Sequence, residues 1–92
     1  MSPPTEGYEA LSLEKSAEVA ELLESRHILD DEAKMVIQNA ESTGEKLYQP
    51  DANRFLAKLR IANATFYVEY SAAAENSYTV HTAYSHHAEL GG

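Results

Sequence analysis

The chain of 92 residues suffices for one small domain with a single modest core. A hydrophobic content of 43% argues against wholesale disorder, and the absence of cysteine excludes disulfides, thiolate metal sites and a thiol nucleophile. The formal net charge is −8, with eleven Asp/Glu against four Lys/Arg in residues 1–50 and four against three in residues 51–92, so the acid sits in the first half and favours basic partners over nucleic acid or anionic membranes.

No apolar run approaches the ~20 residues that span a bilayer. The opening "MSPPTEGYEA" has no basic segment followed by an apolar one, so no signal peptide is expected and the chain reads as cytoplasmic. Residues 1–10 and 89–92 read as flexible ends of a single domain at 11–88. In that setting the "NAT" sequon at Asn63 reads as a turn.

"SLEKSAEVAELLESRH" predicts a first helix with Ser12 as its N-cap. Leu13, Val19, Ala20 and Leu23 fall on one side, while Glu14, Glu18, Glu21 and Glu24 fall opposite. His27 reads as a capping or core-edge histidine. "DDEAKMVIQNAESTG" predicts a second helix, capped by Asp30 or Asp31 and stopped at Gly44, with Ala33, Val36, Ile37 and Ala40 as its apolar stripe.

"YQPDAN" breaks the helical period, since Pro50 lacks a backbone donor and Asp51 and Asn53 suit a turn. Beyond it the period is two. "RFLAKLRI", "ATFYVEY" and "YTVHTAYSH" read as three strands, with "SAAAENS" as a polar loop between the last two. Short connections make them antiparallel neighbours. The expected fold is α+β in the order α-α-β-β-β, two helices on one face of a three-stranded antiparallel meander. Its covered side would hold Phe55, Leu59, Phe66, Val68, Val80 and Tyr84. Its open side would present Leu56, Lys58, Tyr67, Glu69, His81 and Ala83, the candidate interaction surface.

From Thr43 onward the blocks "TGEKL", "RFLA", "FYVEY" and "HTAYSH" are similar to a small bacterial α+β domain family with no assigned activity. The resemblance implies an uncharacterised module, accessory to an anaerobic redox enzyme. It transfers no catalytic residue and no cofactor.

Three of the four histidines lie in "YTVHTAYSHH". His81, His86 and His87 with Glu89 offer zinc or nickel ligand types. Yet His81 and His87 would stand roughly 20 Å apart along a strand, too far to share one ion. His81 beside Tyr67 and Glu69 could resemble a general-base pair, but the face is flat and no phosphate loop or H-E-x-x-H spacing appears. Arg54, Lys58 and Arg60 with Tyr67 and His81 could stack a nucleic-acid single strand, against an overall charge of −8. The Gly91–Gly92 end matches a carrier terminus, but helices before strands is not the ubiquitin-like order. The weight falls on a non-catalytic accessory domain that binds another protein or its own copy through the sheet, with no metal or cofactor expected.

Overall fold

From Leu11 to Glu14 the chain alternates a buried leucine, an exposed serine, a half-buried leucine and an exposed glutamate, which is the period of a strand. In the computed structural model, which describes residues 10–87, Ser12–Glu14 is accordingly strand β1 and not the first helical turn that Ser12 suggests. Helix α1 spans Ala17–Ser25, and its cap is the other serine, Ser16, whose Oγ accepts from the Val19 N–H at 3.2 Å. At its end the Ile28 N–H donates to the Leu23 carbonyl (2.9 Å) and the His27 N–H to that of Glu24 (3.1 Å). These crossed bonds close the helix, and Leu23 and Ile28, both buried, pack where they meet. The price is His27 at φ 58°, a left-handed position that glycine fills more readily.

Helix α2 spans Asp30–Thr43. Leu29 occupies the cap position instead of Asp30 or Asp31, and its N–H donates to Glu32 Oε1 at 2.9 Å. The two aspartates lie in the first turn, beside the positive end of the helix dipole, and Lys15 reaches Asp30 at 2.9 Å. Ala33, Val36, Ile37 and Ala40 are all fully buried, as their spacing predicts. Gly44 ends the helix at φ 78°, its N–H on the Ala40 carbonyl at 2.8 Å.

Four strands follow: β2 (Lys46–Gln49), β3 (Arg54–Ile61), β4 (Ala64–Ala74) and β5 (Ser77–His87). With β1 they make a five-stranded sheet in the order β1-β5-β4-β3-β2. The expected three-stranded antiparallel meander is therefore corrected to a mixed sheet. β2 to β5 do form a meander, but β2 extends it at one edge and β1 pairs parallel to β5 at the other, Ser12 opposite Ser77. The "SAAAENS" loop shrinks to a turn at Glu75–Asn76, because β4 continues to Ala74. Asn63 sits in the β3–β4 turn, as its sequence context suggests. The expected flexible ends lie outside the described residues, apart from Ala10.

Both helices pack on the same side, α1 over β5 and α2 over β3 and β4. Between them and the sheet lie Leu23, Val36, Ile37, Phe66, Val68, Tyr70, Val80 and Ala83. Tyr70 is fully buried, and its hydroxyl donates to Glu41 Oε2 on α2 at 2.6 Å. Lys46 Nζ on β2 reaches the same oxygen at 2.6 Å and lies 4.4 Å from the centre of the Phe55 ring. Burial, then the Glu41 charge, pushes the Tyr70 phenol far above its usual range. Burial also pushes Glu41 up, but the hydrogen bonds from Lys46 and Tyr70 outweigh it and hold the carboxyl below its usual range.

A hydrogen bond to a carboxylate implies that Tyr70→Phe costs about 1.5–3 kcal/mol. Tyr84→Phe, changing a half-exposed ring on the other side of the sheet, should stay within about 0.5 kcal/mol. Urea unfolding of the two variants checks this, and equal losses would mean that the Glu41 contact does not hold the layers together.

Candidate functional site

Along β4 the burial alternates without a break from Ala64 to Tyr70, so Thr65, Tyr67, Glu69 and Ser71 point away from the helices. Their neighbours on β3 are read from the register: Lys58 opposite Tyr67, Leu56 opposite Glu69, and Arg60 opposite Thr65. On β2, Leu47 stands opposite Leu56. These side chains form the outer face of the sheet, and no described element covers it.

β5 does not keep one phase. Tyr70 pairs with Val80 and Glu69 with Thr82, which leaves His81 as the extra residue of a β-bulge. Val80 is buried before the bulge and Ala83 after it, so the parity of inward side chains switches from even to odd. This corrects two expectations. Ala83, assigned to the open face, is fully buried in the core, and Tyr84, assigned to the core, is 39% exposed on the outer face. There Tyr84 stacks on Tyr67, its register partner, with ring centres 4.8 Å apart and planes 17° from parallel. The other five members of the candidate surface, Leu56, Lys58, Tyr67, Glu69 and His81, do share the outer face.

The same face carries a polar cluster. His81 Nε2 and Ser71 Oγ are hydrogen-bonded at 2.8 Å, and Arg54 Nη1 makes a loose 3.4 Å contact with Glu69 Oε1. Burial, then the Arg54 charge, lowers the His81 pKa, with Glu69 opposing. His86 lies opposite Thr65 near the strand end, and the side chain of His87 and all of Glu89 fall outside what is described. Among the described residues no group of three or more His, Asp or Glu is close enough to hold a metal ion.

Between the start of β2 and Tyr67 the outer face dips into a recess of about 470 Å³, walled by Leu47, Leu56, Lys58 and Tyr67. Leu47 is 68% exposed. Lys58 and Arg60 stand beside this apolar strip without an ion-pair partner among the described residues, whereas Lys15, Lys46 and Arg54 each have one. Sequence reasoning missed Leu47 and Tyr84. The two apolar residues of "KLYQ", set between Gly44 and Pro50, were the available sign of Leu47's strand, while nothing in the composition of "YTVHTAY" announces the bulge.

Comparison with protein-family models, with curated proteins and with solved structures returns no match to this chain. Among the described residues no helix is long and apolar enough to cross a membrane.

The lowered pKa of His81 has a signed consequence. The fold favours the neutral ring, so its contribution is fully present above the unfolded value of about 6.5 and is lost as pH falls through the lower folded value. His81→Gln keeps a polar partner for Ser71 and removes the titration. Its stability should therefore fall less than that of wild type between pH 7 and pH 5 in urea titrations. Parallel pH profiles would show that His81 is not tuned by this cluster.

Proposed function

We propose that this domain is a non-catalytic interaction module that docks another protein on the outer face of its sheet. The observation that carries the reading is the bulge at His81, which turns Tyr84 outward onto Tyr67 and completes an apolar strip with Leu47 and Leu56. A strand that kept one phase would have buried Tyr84 and left the small Ala83 outside. Stacked tyrosines give a large contact area at little cost in side-chain entropy, and such rings are frequent energetic centres of interfaces. Lys58 and Arg60 beside the strip supply charge that a partner can pair.

The Ser71–His81 hydrogen bond has the outline of a nucleophile and its base, but the recess on this face is built around Leu47, Leu56 and Tyr67 instead. A reacting group needs a site that holds substrate and excludes water, and neither Ser71 nor His81 lines that recess. A second reading draws on the same tyrosines: aromatic rings flanked by Lys58 and Arg60 can stack nucleic-acid bases. Here the two rings stack on each other, which consumes one face of each and leaves less of the flat platform that bases use.

Two measurements test these readings. A pull-down from native lysate with wild type should retain a protein that Tyr67→Ala loses, while both proteins remain folded by urea titration. Identical retained sets would overturn docking on this face. Mobility of a single-stranded oligonucleotide at low salt, where electrostatic affinity is greatest, should be unchanged by the protein, and a shift abolished by Lys58→Glu would replace the first reading with the second.

A further inference from the structure

The two edges of the sheet are not alike. At one edge β1 pairs with β5 over Ser12–Glu14, and beyond it Arg26 Nη1 donates to the Ala83 carbonyl at 2.7 Å. Helix α1 packs on the same strand. That edge is covered. At the other edge β2 pairs with β3 alone, and no described element lies along its free side. Two of the four large hydrophobic residues that stand most exposed belong to this strand, Leu47 at 68% and Tyr48 at 53%. Proteins commonly guard such an edge with a lysine pointing into solvent. The only lysine of β2 gives no such guard, because Lys46 is drawn inward to Glu41 and Phe55.

From this we propose that β2 pairs antiparallel with β2 of a second copy, joining two sheets edge to edge about a two-fold axis through Leu47. Antiparallel partners must project to the same face, so the axis has to pass through a residue and not between two. Three axes can then be compared. An axis at Lys46 sets the lysines of the two copies opposite each other. One at Tyr48 sets Pro50, which has no backbone donor, opposite Lys46 of the second copy. The axis at Leu47 sets Leu47 against Leu47, Lys46 against Tyr48, and Glu45 against Gln49 of the second copy. No like charges meet, and every paired residue has a backbone N–H. The strand is thus self-complementary in one register, which is the property an isologous contact requires and a foreign strand does not explain.

The contact is short and the copies each carry a net charge of −8, so the dimer is weak and grows stronger as salt screens the repulsion. Leu47 belongs to the edge and to the strip on the outer face alike, so the test separates the two through Tyr84, which stands on the face away from the edge.

Sedimentation equilibrium up to about 1 mM protein, a range that populates a weak dimer, tests it on the full chain. Wild type should rise toward twice the monomer mass with concentration, and further when salt is added. Leu47→Lys, at an exposed position that sets two lysines on the axis, should stay monomeric with an unchanged urea midpoint. Tyr84→Lys, on the outer face away from the edge, should dimerise like wild type. A wild type that remains monomeric throughout overturns the proposal and leaves the edge to another occupant. So does a dimer lost in Tyr84→Lys but kept in Leu47→Lys, which would place the contact on the outer face. A dimer that salt weakens would also overturn it, since attraction between charges would then be its source.

Discussion

The hydroxyl of Tyr70 is buried at the centre of the sheet and donates to the carboxylate of Glu41, which also receives the ammonium of Lys46. One oxygen atom thereby ties together the middle strand, the longer helix and the edge strand. A buried hydroxyl without an acceptor would cost about 1–3 kcal/mol, so α2 cannot slide or turn over the sheet without losing this bond. Lys46 follows from the same constraint. Pulled to Glu41, its ammonium lies over the Phe55 ring of β3, and the edge loses its one cation. The trio also sets limits in pH. Glu41 is held below its ordinary range, so its contribution is present at neutral pH and lost in acid. Tyr70 is held above its own, so its contribution is intact below about 10 and drains away in alkali.

The bulge at His81 is the second constraint, and it divides β5 into two phases. Before it, Tyr78 and Val80 serve the core, Tyr78 meeting Tyr70 edge to face at 5.5 Å. After it, Ala83 enters the core and Tyr84 leaves it. α1 packs on this strand, and Arg26 at the end of the helix reaches the Ala83 carbonyl. A tyrosine facing inward there would meet the helix instead. The buried Ala83 and the stack on the far side are therefore two consequences of one extra residue.

How much of this could be read from the sequence depended on the range of the signal. α2 was legible because its stripe repeats over fourteen residues and Gly44 marks its end. The faces of β3 and β4 were legible because their alternation is long and, on β4, regular. β1 was hidden because Leu13 suits both a helix stripe and a strand, and because Ser12 and Ser16 are equally good caps. Its pairing with β5, sixty-five positions away in sequence from Ser12 to Ser77, decided between them. β2 has only four residues, too few for a period to declare itself. The candidate surface failed at Ala83 for a different reason, since a bulge is an event in the backbone ladder and leaves no mark in polarity.

The charge layout connects these local facts. Among the acids of the helices Asp30 meets Lys15 and Glu41 meets Lys46, while Lys58 and Arg60 on the outer face have no ion-pair partner among the described residues. The two sides of the domain therefore differ in sign, the helical layer carrying the excess of acid and the outer face of the sheet the cations. Among the described residues the second layer of secondary structure lies on the inner face, because the chain crosses from β1 to β2 through both helices on one side. Among the described residues, that crossing leaves the outer face without a covering element and delivers the chain to the far edge of the sheet, where nothing later returns to cover β2. The open face and the open edge thus share one origin in the path of the chain. Their side chains differ: stacked tyrosines beside Lys58 and Arg60 on the face, and the exposed Leu47 and Tyr48 of a four-residue strand at the edge.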